Sequence, residues 1–191
     1  MNLIRSWMFV PGHRQRMIDK AFGLDADAIM LDIEDGVAPN EKDTARQNIA
    51  ESLGREKAPG SPARYVRINA IGHARMDADL EAVIRPGLEG LVCPKVDTPD
   101  EVRRLEAILN EREPKMKMEK GSVKLLIAIE SPTGLLNAPA IAASSSRMAS
   151  STPSMPRPSR ATIRPEGSIT AEMPVLAART IGSPSSMARS R

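Results

Sequence analysis

The chain has 191 residues, 41% of them hydrophobic, and a formal net charge of +3. The excess positive charge lies in residues 144–191, which contain seven arginines, no lysine and two glutamates, so it gives no reason to infer a nucleic-acid-binding domain. The longest apolar run, Leu125 to Ile129, is far too short to span a membrane, and the single cysteine excludes an intramolecular disulfide and fits a cytoplasmic location.

Short apolar runs alternate with segments of helical periodicity through residues 1–143. Strands are predicted at residues 6–10, 27–33, 65–68, 91–96 and 123–129. Helices are predicted at residues 13–22, 41–53, 77–83, 98–112 and 133–143, with a charged loop at residues 113–122. This alternation predicts βα units around a parallel sheet, which is either an open doubly wound sheet or a closed barrel.

Two observations favour the barrel over the open sheet. No glycine-rich nucleotide-binding loop follows the first strand, and polar residues stand at the ends of several successive strands. In a barrel the residues at the carboxyl ends of the strands form the active site. The fold class predicted is therefore α/β, a TIM (β/α)8 barrel of which about the first five βα units are present, followed by an irregular tail.

Three carboxylates, Asp32, Glu34 and Asp35, lie at the end of the second predicted strand. Carboxylates this close repel one another unless a cation compensates them. They either support a metal ion, or a water bound to it, or they form a solvated turn. The alternation of a strand places Asp32 and Glu34 on the same face, which slightly favours a functional role.

Two basic residues occupy the next strands. Arg67 lies between apolar Val66 and Ile68, and it either binds a substrate carboxylate through its guanidinium fork or pairs with an acid of the second strand. Lys95 follows the fourth strand, where it either forms a Schiff base with a ketone substrate or neutralises the acidic cluster. We favour neutralisation.

Glu130 follows the most apolar strand of the chain. A carboxylate in this position requires a positively charged partner. Mg²⁺ is the favoured partner, because it takes oxygen ligands and keeps positions open for substrate oxygens. The alternative is a salt bridge to Arg67 or Lys95.

Five motifs in order resemble the citrate lyase beta-subunit-like family of the HpcH/HpaI aldolase superfamily. They are Arg-Ser-x-x-Phe-Val-Pro-Gly from Arg5, Leu-Asp-Ile-Glu-Asp-Gly-Val from Leu31 with Lys42 after it, Val-Arg-Ile-Asn from Val66, Pro-Lys-Val from Pro94, and Ile-Glu-Ser-Pro-x-Gly from Ile129 with Asn137 after it. The resemblance covers residues 3–143 and implies a TIM barrel that cleaves carbon–carbon bonds with Mg²⁺. The implied substrates are β-hydroxyacyl-CoA thioesters such as citryl-, malyl- or citramalyl-CoA, and the implied assembly is a homotrimer or homohexamer.

The resemblance also implies roles for individual residues. Arg67 would bind the substrate carboxylate, and Glu130 would be one of two protein ligands of Mg²⁺. Asp32, Glu34 and Asp35 would order waters bound to the metal, and Lys95 would neutralise them. The loop at Pro11 and Gly12 would lie near the thioester carrier, together with the basic residues Arg5, Arg14 and Lys20.

The resemblance stops before the barrel is complete. The second metal ligand expected from the family is an Asp in a Gly-x-x-Asp pattern after the sixth strand, but residues 155–173 contain no Asp. Residues 144–191 are rich in Ser, Pro and Arg, so we expect a disordered or out-of-frame tail. Two functions follow as expectations: an acyl-CoA lyase, or an inactive truncated fragment that at most binds a CoA ester or a partner subunit.

Overall fold

The computed structural model of the protein describes residues 4–148. The predicted tail from residue 149 onward lies outside the described residues. Each of the five predicted strands and five predicted helices is present, with ends that differ by a few residues. The strands are β1 (Trp7–Pro11), β2 (Ala28–Asp32), β3 (Ala63–Arg67), β4 (Gly90–Cys93) and β5 (Lys124–Ile127). The helices are α1 (Gln15–Ala21), α2 (Lys42–Leu53), α3 (Met76–Val83), α4 (Pro99–Lys115) and α5 (Pro132–Ala142).

The five strands form one sheet in the order β1-β2-β3-β4-β5, and every neighbouring pair is parallel. The order has no reversal within the described residues, whereas a doubly wound sheet reverses its strand order at a switch point. The last residues of the first three strands are in register, Pro11 with Asp32 and Asp32 with Arg67. The C-terminal ends of β1–β5 and the loops after them therefore form one edge of the sheet, called here the carboxyl edge.

Both faces of the sheet are apolar, which explains the continuous hydrophobic runs of the strands. One face packs against the helices and buries Ile29, Leu31, Val66, Leu91 and Leu125. The opposite face carries a smaller cluster of buried residues, namely Ala28, Met30, Tyr65 and Val92. Side chains on this second face lead along the strands to the carboxyl edge, since residues two apart in a strand share a face.

Helix α4 shows how strongly the sequence specifies some boundaries. Thr98 accepts a hydrogen bond from the N–H of Glu101, whose carboxylate accepts one from the N–H of Thr98, so the two residues form a capping box. The other end of α4 corrects the prediction of a charged loop starting at residue 113. Glu113 lies inside the helix and is fully buried.

The buried carboxylate of Glu113 is paired with Arg147. The two terminal nitrogens of the guanidinium each lie 2.7 Å from a different oxygen of Glu113. The backbone O of Arg147 also accepts a hydrogen bond from the N–H of Leu125, and Met148 forms a parallel bridge with Leu125. The chain therefore stays packed against β5 through Met148, past the predicted boundary at residue 143.

None of the helices within residues 4–148 combines the length and the apolar content needed to cross a membrane.

The Glu113–Arg147 pair predicts how stability depends on pH. Burial raises the pKa of Glu113, but Arg147 and the N–H groups of Val123 and Gly121 outweigh it and hold the pKa at about 2. A depressed pKa in the folded protein means that the unfolded chain binds more protons between about pH 4.5 and pH 2. The free energy of unfolding should therefore fall by about 3 kcal/mol as the pH drops through this window.

Urea unfolding at a series of pH values measures this loss. In Glu113→Gln the contribution should be absent, and stability should depend much less on pH in that window. Glu119→Gln, at an exposed position of the following turn, is the matched control and should keep the steep dependence. Equal slopes for wild type and Glu113→Gln would contradict the assignment.

Candidate active site

Asp32, the last residue of β2, is buried and fixed by its own turn. Its two carboxylate oxygens accept hydrogen bonds from the N–H groups of Glu34 and Gly36, each at 2.8 Å. Asp32 shares a face of the sheet with Met30, two residues earlier, which belongs to the smaller apolar cluster. The carboxylate is therefore held at the carboxyl edge by contacts that the turn itself supplies.

Arg67, the last residue of β3, faces Asp32 across the sheet. Its Nε and Nη2 donate to the two oxygens of Asp32 at 2.8 and 2.7 Å, a bidentate arrangement, and Nη1 lies 3.3 Å from Glu34. The hydrogen bond to Asp32 raises the pKa of Arg67. The ion pair considered from the sequence is thus formed. Because a guanidinium has five N–H donors, Nη1 and Nη2 retain donors for a further ligand, and the side chain is 20% exposed.

Lys95 contacts the other two acids of the cluster. Its Nζ lies 2.6 Å from Glu34 and 3.2 Å from Asp35, while its own side chain is half exposed. The backbone of Lys95 has a φ of 56°, a left-handed conformation that non-glycine residues adopt rarely and that is enriched at functional sites. Lys95 therefore occupies the neutralising position that the sequence favoured.

Lys42 is a third cation, which the sequence indicated only as part of a motif. It begins α2 and is buried, and its Nζ donates to the backbone oxygens of Ile33 and Glu34 at 2.5 and 2.7 Å. Burial lowers the pKa of Lys42, and the charges of Asp32, Asp79 and Glu34 act in the opposite direction. A signal for its role was present, because the helix dipole disfavours a lysine in the first turn of a helix.

The three carboxylates of the acidic cluster, Asp32, Glu34 and Asp35, thus lie close to three cations. Arg67 pairs with Asp32, Lys95 pairs with Glu34 and Asp35, and Lys42 binds the backbone of the same turn. These contacts supply the compensating charge that closely spaced carboxylates require. The cluster therefore does not need a metal ion for charge balance, which fits residues that surround a ligand rather than bind a metal directly.

Glu130 differs from the three carboxylates of the acidic cluster. It follows β5, is exposed, and forms no salt bridge with Arg67, Lys95 or any other side chain within residues 4–148. The alternative of a salt bridge to Arg67 or Lys95 is therefore not what the structure shows. Strands β3 and β5 are two strand spacings apart, about 10 Å, with β4 between them.

The donor set can be compared with what Mg²⁺ requires. An exposed carboxylate without a partner is a suitable oxygen ligand, so Glu130 fits one position of a magnesium site. In the part of the chain that the structure describes, no group of three or more His, Cys, Asp or Glu side chains could hold a metal ion. Within this range Glu130 would therefore share Mg²⁺ with water, substrate or residues outside residues 4–148.

The loop after β1 completes this part of the edge. The N–H of Gly12 donates to the backbone O of Asp32 at 2.9 Å, directly after Pro11. A Cβ at position 12 would lie 2.7 Å from that oxygen and 2.6 Å from Ile49, so only glycine permits this close approach. The structure thus brings together Pro11, Gly12, Asp32, Glu34, Asp35, Arg67 and Lys95, with Glu130 on the same edge.

The parallel sheet of consecutive strands, with its charged carboxyl edge, defines the α/β class of TIM-like barrels. Residues 5–151 match the model of the HpcH/HpaI aldolase/citrate lyase family. The chain belongs to this family. Its described part matches a solved citrate lyase beta subunit from M. tuberculosis, complexed with oxaloacetate and magnesium, with a TM-score of 0.57 and 29% sequence identity, over 75% of this chain and 56% of that chain.

Two curated relatives show the range of activities in the family. The chain is 40% identical over 144 residues to the citrate lyase subunit beta of Escherichia coli (strain K12), which covers 75% of this chain and 47% of that protein. It is 33% identical over 139 residues to the mitochondrial citramalyl-CoA lyase of Rattus norvegicus, which covers 72% of this chain and 40% of that protein. The chain thus spans about half the length of the curated relatives it matches.

The contacts of Lys95 predict that it does not form a Schiff base. Hydrogen bonds to Glu34 and Asp35 raise the pKa of Lys95, so its side chain stays an ammonium ion at neutral pH and is a poor nucleophile. Borohydride treatment in the presence of oxaloacetate should leave the peptide containing Lys95 unmodified, as measured by mass spectrometry. A reduced adduct on this peptide in wild type, absent from Lys95→Arg, would contradict the prediction.

Proposed function

We propose that this chain provides the N-terminal part of a Mg²⁺-dependent carbon–carbon lyase that acts on a β-hydroxyacyl-CoA thioester, such as citryl-, malyl- or citramalyl-CoA. The proposal is supported by family membership and by the names of relatives, one of which is a citramalyl-CoA lyase. The related structure with oxaloacetate and magnesium supports both the metal and the class of product.

The observation that carries the proposal is the contrast between Glu130 and the three acids at and just after the end of β2. Asp32, Glu34 and Asp35 each have a cation within contact distance, whereas Glu130 is exposed and has no ion-pair partner within the described residues. Glu130 is therefore the carboxylate that is free to bind Mg²⁺. When bound, Mg²⁺ would act as a Lewis acid on substrate oxygens.

Arg67 has the second role in the proposed site. The remaining N–H groups on Nη1 and Nη2 would bind the carboxylate of the substrate, and the bidentate contact with Asp32 prevents the guanidinium from turning away. Orientation of this kind is a large part of catalysis, because it fixes the reacting groups before the reaction. Asp32, Glu34, Asp35 and Lys95 would hold Arg67 and the water structure around the substrate in place.

In the proposed reaction a base takes the proton of the substrate hydroxyl, the hydroxyl carbon becomes a carbonyl, and its bond to the carbon next to the thioester breaks, after which a proton is returned to that carbon. The electron pair of that bond remains on the thioester fragment as an enolate, which the thioester carbonyl delocalises. The loop at Pro11 and Gly12 would lie beside the thioester.

The proposal has two further parts. The single cysteine leads us to expect a cytoplasmic location, and the family resemblance implies a homotrimeric or homohexameric assembly.

A second candidate function is a non-catalytic chain that at most binds a CoA ester or a partner subunit. The matched residues cover 47% and 40% of the two curated relatives, so the match extends over only part of each relative. The donor set favours this alternative, because residues 4–148 contain no group of three or more His, Cys, Asp or Glu side chains that could hold a metal ion.

A lyase assay of the whole chain on malyl-CoA and citramalyl-CoA, with and without Mg²⁺, separates the two candidates. The lyase predicts turnover that disappears when Mg²⁺ is removed and that falls about 100-fold or more in Glu130→Gln, because one electrostatic group in an active site contributes at least this much. Arg67→Met should raise KM through the loss of the carboxylate contact.

Glu119→Gln is the matched control, since its carboxylate is exposed in the loop before β5, away from the carboxyl edge, and it should retain wild-type activity. Turnover that survives Glu130→Gln would contradict the site assignment. A chain that binds these CoA esters in calorimetry without cleaving them at any Mg²⁺ concentration would establish the non-catalytic function instead.

A further inference from the structure

Glu130 is followed directly by the N-cap residue of α5. Ser131 is the N-cap of this helix, with an extended backbone, and its Oγ accepts a hydrogen bond from the N–H of Gly134 at 2.9 Å. Because Glu130 and Ser131 share a peptide bond, any contact that fixes Ser131 also limits where the Glu130 side chain can lie.

Ser131 is fixed by a residue of a neighbouring loop. Its hydroxyl donates to the carboxylate of Asp97, which lies in the loop between β4 and α4. The side-chain amide of Asn137, on α5, donates to the backbone O of Asp97 at 2.8 Å. Asp97 thus contacts α5 at two points, one on each side of the first turn.

Asp97 is itself held in place. Its backbone N–H donates to the carboxylate of Glu101 at 3.0 Å, which connects it to the capping box of α4. The loop and α5 are also in close contact, because a Cβ at position 134 would lie 2.6 Å from the backbone O of Val96 and 3.2 Å from the carboxylate of Asp97. Only glycine at position 134 allows α5 to start this close to the loop.

We propose that Asp97 is a positioning residue for Glu130, acting through the hydroxyl of Ser131. The carboxylate of Glu130 has no ion-pair partner within residues 4–148, so the anchored backbone beside it at Ser131 is the fixed point from which its side chain extends. Metal ligands generally depend on such outer contacts for their orientation, and the loss of an outer contact typically weakens metal binding 10- to 100-fold. The inference rests on the proposed role of Glu130 as a metal ligand.

The test uses Mn²⁺ as a paramagnetic substitute for Mg²⁺ and follows the amide NMR signals of the whole chain. Wild type should show selective broadening of the signals around Glu130, and this broadening should disappear in Glu130→Gln. Ser131→Ala keeps every charge but removes the contact with Asp97, and it should need about tenfold more Mn²⁺ for the same broadening.

Two further variants separate positioning from a general effect on folding. Ser131→Thr keeps the hydroxyl and the N-cap, and it should bind Mn²⁺ like wild type. Asn137→Ala leaves the Ser131 cap in place but releases the backbone of Asp97, and it should weaken Mn²⁺ binding in the same direction as Ser131→Ala. Fluorescence of Trp7, the one tryptophan of the chain, reports whether each variant is folded.

The outcomes distinguish the inference from the proposed function. Broadening around Glu130 that persists in Glu130→Gln would overturn the metal-ligand role and the inference with it. Broadening that depends on Glu130 but is unchanged within twofold in both Ser131→Ala and Asn137→Ala would overturn the positioning role of Asp97 alone. Weaker Mn²⁺ binding in both Ser131→Ala and Asn137→Ala, together with wild-type binding in Ser131→Thr, would support the positioning role.

Discussion

The bidentate ion pair between Asp32 and Arg67 is the contact on which the carboxyl edge depends. The two residues end neighbouring parallel strands in register, so their side chains meet without any change in the backbone. The carboxylate of Asp32 also accepts hydrogen bonds from two N–H groups of its own turn, and these bonds fix the positions of Glu34 and Gly36. The carboxylate of Asp32 therefore orients both the turn after β2 and the guanidinium of Arg67 at the end of β3.

The negative charges around this pair are compensated by cations of the protein. Removing a partner from a buried ion pair leaves a charge that costs several kcal/mol, about 3–5 in typical cases. Lys42 and Lys95 keep the remaining charges of the turn compensated, one from inside the fold and one from the half-exposed edge. Glu130 lies outside this set, and its exposure and lack of a partner within the described residues are the physical basis of the proposed metal role.

The sequence was sufficient to predict the elements, the parallel sheet and the family, since apolar runs, turn residues and five motifs are local signals. It also identified Arg67, Asp32, Glu34, Asp35 and Lys95 as residues of one edge, because the carboxyl ends of parallel strands meet. It left open how they pair, since the pairing of Arg67 with Asp32 depends on register. It missed the burial of Glu113, whose partner Arg147 is distant in sequence, and it missed Asp97, which acts through a helix start on another βα unit.

Glu130 is proposed to be the metal-binding carboxylate of the carboxyl edge, whereas protein cations neutralise Asp32, Glu34 and Asp35. A crystal of the whole chain soaked in Mn²⁺ tests it directly through the anomalous signal of the metal. We expect a peak at ligand distance, about 2.1 Å, from a carboxylate oxygen of Glu130. A peak bound instead by Asp32, Glu34 or Asp35, with Arg67 or Lys95 displaced, would contradict it.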